Sequence, residues 1–367
     1  HRITDLTMPP LRGRKPAFRE KRALAMAHRI AVIGGDGIGP EVTEQAQRVA
    51  GAAAKRAGVD LAFEVFPYGA DYYLEHGVGI EPGRFDDFRA NYGAILFGAV
   101  GDARVPDMAH GRELLLGARF ELDLFINLRP IKLFAPELCP LKGKGPEQVD
   151  MVIFRENTEG LYVGVGGQVR KGTADEIATQ MAIYTRAGTE RIIRAAFEYA
   201  ASHGRKSVCM TDKANAMRQG HELWQRTFKE VAAEYPSIES FHLYVDVAAM
   251  EMVRAPERFD VVVTENLFGD ILSDLGAGLQ GGLGTAASGN IHPGRCSLFE
   301  PVHGSAPDIA GSGKANPMAA VLSAAMMLEH LGHSAAANAA ETAVIEQIAA
   351  GDVSFDLGGN LSCSEVG

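Results

Sequence analysis

Residues 29–42 read RIAVIGGDGIGPEV, and the architecture turns on this stretch. The run 29–33 is short and apolar, as in a strand buried on both faces. A glycine turn follows at 34–40, then an Ala- and Glu-rich helical pattern. Strand, glycine turn and helix in that order invite a dinucleotide-binding reading. The spacing argues against it. Gly35-x-Gly37-x-Gly39 is one residue short of G-x-G-x-x-G, and Asp36 puts a negative charge where backbone N–H groups should meet a pyrophosphate. A plain tight turn is the better reading of the two, so the cofactor segment is sought elsewhere.

Outward from this unit the alternation repeats. Apolar runs at 94–100 (AILFGAV), 149–154 (VDMVIF), 207–210 and 259–264 (FDVVVT) read as strands, and amphipathic stretches at 189–201 and 221–235 read as helices. The last hundred residues are rich in Gly and Ala, with a helix expected near 317–331. Such alternation predicts an α/β protein with a substantially parallel sheet. The absence of a linker or repeat predicts a second domain inserted into the first rather than strung behind it.

The chain has 367 residues, is 46% hydrophobic and 22% charged, and carries a formal charge of −10, which argues against broad nucleic-acid or anionic-membrane binding. The charge is uneven: residues 1–29 hold eight Arg or Lys against Asp5 and Glu20. This segment reads as an N-terminal extension over 1–28, with a transit-like arm as the alternative. Cys139, Cys209, Cys296 and Cys363 show no CxxC spacing, so no zinc site or disulfide framework is expected, and a reducing cytoplasm fits best. No run approaches the length of a membrane helix.

Two groups of residues carry chemistry. Asp270 and Asp274 are four apart, so on a helix they share a face and repel unless a cation lies between them. Asp246 is a third acid in an apolar setting. Such oxygens suit Mg²⁺ or Mn²⁺, but a solvated acidic helix start is an equally good reading of the spacing alone. The second group is Arg119, Arg129 and Arg155. Converging in one pocket they would grip a di- or tricarboxylate through bidentate bonds; taken singly, each is more simply a surface or ion-pair arginine.

Six motifs together give a resemblance to the β-decarboxylating hydroxyacid dehydrogenases, the isopropylmalate and isocitrate dehydrogenase type. They are GDGIGPEV (35–42), FINLRP (125–130), RENTEGLYVG (155–164), DKANAM (212–217), TENLFGDILSD (264–274) and FEPVHGSAPDIAG (299–311). The resemblance runs from about Arg29 to the end of the chain. It implies that family's fold, which is not a Rossmann fold: two α/β domains around a mixed sheet, with 29–124 and 281–367 binding the cofactor and an inserted 125–280 carrying substrate, metal and dimer contacts. It implies that Arg119, Arg129 and Arg155 bind the carboxylates of a small malate-type acid. Asp246, Asp270 and Asp274 are implied to hold Mg²⁺ or Mn²⁺, Lys213 to be the general base, and Tyr162 the general acid. Asp246 and Lys213 would come from the other subunit of a homodimer. Glu300, His303, Gly304, Ala306, Asp308 and Asn316 would bind the cofactor, and Asp308 favours NAD because a carboxylate pairs with a ribose diol and repels a 2′-phosphate. Regulatory subunits of the family lose catalytic residues; this chain keeps them.

Substrate choice within the family rests on the helix before Arg119. Leu115 and Leu116 offer an apolar wall that suits the branched side chain of 3-isopropylmalate. Homoisocitrate, isocitrate, D-malate and tartrate are the alternatives. Arg112, seven residues before Arg119, falls on the same stripe of an α-helix and could meet a further anionic group; an ion pair to Glu113 or plain solvation is the alternative.

Overall fold

The computed structural model describes residues 27–367; most of the basic extension, 1–26, lies outside them. Among the described residues twelve strands form in order: β1 (His28–Gly35), β2 (Leu61–Phe66), β3 (Ala94–Ala99), β4 (Ile126–Lys132), β5 (Asp150–Glu156), β6 (Gly166–Val169), β7 (Ile177–Gln180), β8 (Ser207–Asp212), β9 (Glu239–Tyr244), β10 (Val261–Thr264), β11 (Ala287–Ile291) and β12 (Ser297–Pro301). Ten of them make one sheet in the order β2-β1-β3-β12-β11-β4-β5-β10-β8-β9, and β6 and β7 pair separately.

The flanks of the large sheet are parallel: β2, β1, β3 and β12 on one side, β5, β10, β8 and β9 on the other. Three antiparallel pairings in the middle, β12 with β11, β11 with β4 and β4 with β5, turn one flank against the other. The inner parallel strands are nearly continuous apolar runs because they are covered on both faces. β3, β8 and β10 are buried throughout.

The core falls into clusters that respect this division. Val42, Ala46, Phe299, Val321 and Leu328 pack around β1 and β3. Phe154, Ile193, Phe197, Trp224 and Phe228 pack around β5, β8 and β10. The helix Met318–His330 is buried over most of its length, which explains why its sequence shows little amphipathic periodicity. Two caps matter for the site. Thr185 accepts the Gly188 N–H at the start of helix Arg186–Ser202, and the Glu265 carboxylate accepts the N–H groups of Leu267 and Phe268 at the start of helix Asn266–Leu279. No helix among the described residues is long and apolar enough to cross a membrane.

Candidate active site

A cleft of about 280 Å³ opens where the two flanks of the sheet meet. Leu115, Leu116, Arg119, Arg129, Arg155, Tyr162, Asp270, Glu300, His303 and Gly304 are among the residues that line it. The arginines thus converge, although they arrive from a helix, a central strand and the carboxyl end of β5. All three are buried, Arg155 to 1% exposure.

Each guanidinium is held. Arg155 donates from Nε and Nη2 to Asn266 Oδ1 at 3.0 and 2.8 Å and pairs through Nη1 with Asp270. An amide oxygen can take both bonds without adding a charge. Gly269 is required beside it: a Cβ there would lie 2.5 Å from Arg155 Cγ. Arg129 donates to Asn127 Oδ1 and Ser273 Oγ, both at 2.6 Å, and lies 3.5 Å from Asp270 and 3.4 Å from Asp274. Arg119 faces Glu300 at 3.5 Å, and its buried Nε has no partner among the described residues. Burial first, then Arg155, push Arg129 down to about 10 and also lower Arg119. Such crowded, desolvated cations favour an anionic ligand.

Asp270 and Asp274 share a face of helix Asn266–Leu279 as expected, and the arginines partly offset their repulsion. Burial opposes ionisation of Asp270, but Arg155 and Arg129 outweigh it and its pKa is lowered. Asp274 is raised by burial, with Asp270 adding to the effect and Arg129 opposing it. Tyr162 donates to Asp270 Oδ2 at 3.1 Å, and burial raises its phenol above the ordinary tyrosine value.

Lys213 and Asp246 lie elsewhere. They pair with each other at 2.6 Å beyond the carboxyl ends of β8 and β9, and neither lines the cleft. Within one chain the three aspartates therefore do not meet, and no cluster of three metal-ligating side chains occurs among the described residues. The backbone N–H of Lys213 donates to His221 Nδ1 at 2.7 Å.

Arg112 departs from expectation. The helix 109–121 contains a π-turn over Arg112–Leu116, whose wider winding breaks the seven-residue stripe. Arg112 is exposed and donates to the Asp107 carbonyl, and Glu113 accepts the Gly79 N–H at 2.5 Å. Neither lines the cleft, whereas Leu115 and Leu116 do.

The proposed cofactor segment divides. His303 and Gly304 line the cleft, and the buried His303 Nε2 lacks a partner among the described residues, an open donor–acceptor position for a ligand. Ala306 takes a left-handed conformation, φ 40°, and Asp308 is exposed. Asn316 turns inward to Asp356 and the Met318 N–H. The donor set also fits a hard dication. Asp270 in the cleft and Asp274 one turn on, beside Arg129, offer the carboxylate oxygens that such an ion takes.

Several organising residues were not singled out from sequence. Asn290 accepts from Asn127 and Asn157 and donates to Glu300 at 2.7 Å, tying four strands' ends together. Asn127, Asn157 and Asn266 sit inside the FINLRP, RENTEG and TENLFGD motifs, which was the available signal.

Comparison with known proteins places these features. The profile described as isocitrate/isopropylmalate dehydrogenase matches residues 29–367. The 3-isopropylmalate dehydrogenase of Thermobifida fusca is 49% identical over 87% of this chain and 91% of its own; that of Streptomyces griseus is 47% identical over 88% and 92%. Among solved structures, isocitrate dehydrogenase from Methylococcus capsulatus is similar, with a TM-score of 0.83 at 40% identity over 92% of this chain and 97% of that one.

Proposed function

This chain belongs to the isocitrate/isopropylmalate dehydrogenase family, and from that membership and the cleft just described we infer an NAD-dependent oxidative decarboxylation of 3-isopropylmalate to 4-methyl-2-oxopentanoate, a step of leucine biosynthesis. The observation that carries the substrate choice is the pairing of three buried arginines with an apolar wall, Leu115 and Leu116, in one cleft. Carboxylates match the guanidinium forks, and a branched alkyl group matches the leucines. Arg112 turns outward to the Asp107 carbonyl and so does not meet the extra carboxylate of isocitrate or homoisocitrate.

Arg119, Arg129 and Arg155 bind and orient the two carboxylates. Asp270 and Asp274, joined by Asp246 from a second copy of the chain, would hold Mg²⁺ or Mn²⁺, which supplies Lewis-acid polarisation of the C2 oxygen. Residues 300–316, with Asp308 at the ribose, would hold NAD, which would supply the acceptor for the C2 hydride. Lys213 from the second copy removes the hydroxyl proton. Once the 3-carboxylate leaves as CO₂, its bonding pair takes a proton from Tyr162 at C3.

The homodimer has its own support. Val165, Val169, Ile177 and Met181 lie opposite one another on the β6–β7 hairpin and are 41–58% exposed, and a two-stranded hairpin is marginal without cover. Met250, Val253 and Ile271 on the neighbouring helices are exposed as well. A second copy covering these faces would bring its Lys213 and Asp246 to the cleft. We assign 29–124 with 281–367 to the cofactor domain and 125–280 to the substrate and dimer domain, in line with the separate core clusters.

The test is NADH formation with 3-isopropylmalate, isocitrate, homoisocitrate, D-malate and tartrate in the presence of Mg²⁺. The expected result is the highest kcat/KM for 3-isopropylmalate. A tenfold advantage for another acid would overturn the substrate; no turnover with any of them would overturn the activity.

A further inference from the structure

Asp36 was the misfit of the glycine turn, and the structure shows where its charge goes. The carboxylate is 8% exposed and accepts three bonds: from the Ala70 N–H at 2.6 Å, from the Gly101 N–H at 2.8 Å and from His110 Nε2 at 2.8 Å. The turn carrying it is clamped between Ala99, which lines the cleft, and Ser305, next to the lining Gly304. Gly35 has φ 73° and Gly37 φ 58°. A Cβ on the first would lie 1.9 Å from the Ala99 carbonyl oxygen, and on the second 1.9 Å from that of Ser305. The Ile38 N–H donates to that same Ser305 oxygen at 2.9 Å. Only glycine permits these approaches.

His110 is wholly buried, and its Nδ1 has no hydrogen-bond partner among the described residues. As core filling it is a poor choice, because an apolar side chain would leave no polar atom unmatched. What imidazole adds is the bond to a carboxylate. It also stands at the start of the helix that supplies Leu115, Leu116 and Arg119 to the cleft. The chain before it offers no relaxed support: Asp107 and Met108 are consecutive non-glycine residues with φ 54° and 53°. Leu114 and Ala118 seat the helix in the core, and at its start the polar anchors are His110 on Asp36 and Glu113 on the Gly79 N–H.

We propose that His110, held by Asp36, is a positioning residue that couples the cofactor side of the cleft to its substrate wall. The connection runs from Ser305 through Ile38 and Asp36 to His110 and on to Leu115, Leu116 and Arg119. A nucleotide seated on the segment containing Ser305 fixes the turn, and the fixed turn fixes the substrate helix. The proposal rests on the function inferred above.

The experiment is a binding cycle on the whole protein. The dissociation constant of 3-isopropylmalate, or of whichever acid wins the panel assay, is measured by calorimetry with Mg²⁺, with and without saturating NADH, so that no turnover occurs. NADH tightens acid binding in the parent protein by at least about fivefold, the low end of ordinary coupling between sites. In His110→Phe that ratio falls to within about twofold of one while NADH binding alone is unchanged. His110→Gln, whose amide reaches Asp36, restores it. Asp36→Asn, checked for a cooperative melt, carries the same expectation as His110→Phe should the latter not fold. A parent ratio of one, an unchanged ratio in His110→Phe and Asp36→Asn, or a failure of Gln to rescue overturns the coupling. Turnover by the parent protein in the panel stands apart from all of these, so loss of the coupling and loss of the activity are read separately.

Discussion

Glu156 follows Arg155 at the carboxyl end of β5 and is 2% exposed. Burial pushes its carboxyl up to about 7, outweighing the bonds it accepts from Thr158 and the Glu159 N–H. Between pH 4.5 and 7 the native protein thus holds a proton that the unfolded chain has released. The resulting stability is full below pH 4.5 and lost as pH rises to 7, on the order of 3 kcal/mol over the window. Glu156→Gln has no such proton, so its urea-unfolding free energy falls less steeply from pH 5 to pH 7 than that of the parent; equal slopes would mean that Glu156 titrates alike in both states. Tyr162 carries the second prediction at this scale. Its hydroxyl is raised by burial and aimed at Asp270. Tyr162→Phe keeps the ring and removes the proton, so kcat drops by about 10² to 10⁴ with little change in KM. Stopped-flow assays of NADH formation separate this from a binding defect, which would move KM instead. At residue scale the arginines and the aspartate pair were legible as candidates, but charge and spacing alone left surface and solvated readings open, and the resemblance gave them roles. Asn127, Asn157, Asn266 and Asn290 were not legible, because an amide acquires its importance only from which buried group it faces.

The helix 109–121 shows what an element adds. The resemblance put Leu115 and Leu116, about one turn before Arg119, on the pocket wall, and both line the cleft. Periodicity placed Arg112 with Arg119, and that failed, because the counting assumed 3.6 residues per turn and the π-turn does not keep it. Strands followed the same rule. β1, β3, β5, β8 and β10 were visible as apolar runs, since parallel strands covered on both faces contain little else. β9 and the β6–β7 hairpin were not, being half-exposed or fully exposed, and β11 with its glycine and asparagine residues has no strand signature until it pairs with β4 and β12. Leu115 and Leu116 permit a direct test of the wall. Burying a branched alkyl group against them stabilises the bound acid by roughly 1.5–3 kcal/mol. Replacing both with Ser raises the KM for 3-isopropylmalate roughly tenfold to a hundredfold and leaves that for D-malate, which lacks the branch, within about twofold. Equal effects on both acids would place the alkyl group elsewhere.

At the scale of the molecule, the chain divides its chemistry between two places. Arg119, Arg129, Arg155, Tyr162, Asp270 and Asp274 gather around the cleft, while Lys213 and Asp246 pair with each other outside it. In the proposed mechanism Lys213 must reach the ligand, so either its own chain rearranges or a neighbour's Lys213 serves the cleft. The exposed apolar hairpin and helix faces favour the neighbour, and a two-fold arrangement gives two equivalent sites, each built from both copies. Mixing two disabled chains separates the alternatives. In a dimer of Tyr162→Phe with Lys213→Ala, one site combines the intact Tyr162 of one chain with the intact Lys213 of the other, and the second site collects both lesions. Random pairing makes half the dimers mixed, each with one working site, so co-expression restores about a quarter of the parent activity although either variant alone is nearly inactive. Chains that each contained a complete site would restore none, since every site would then carry one lesion or the other.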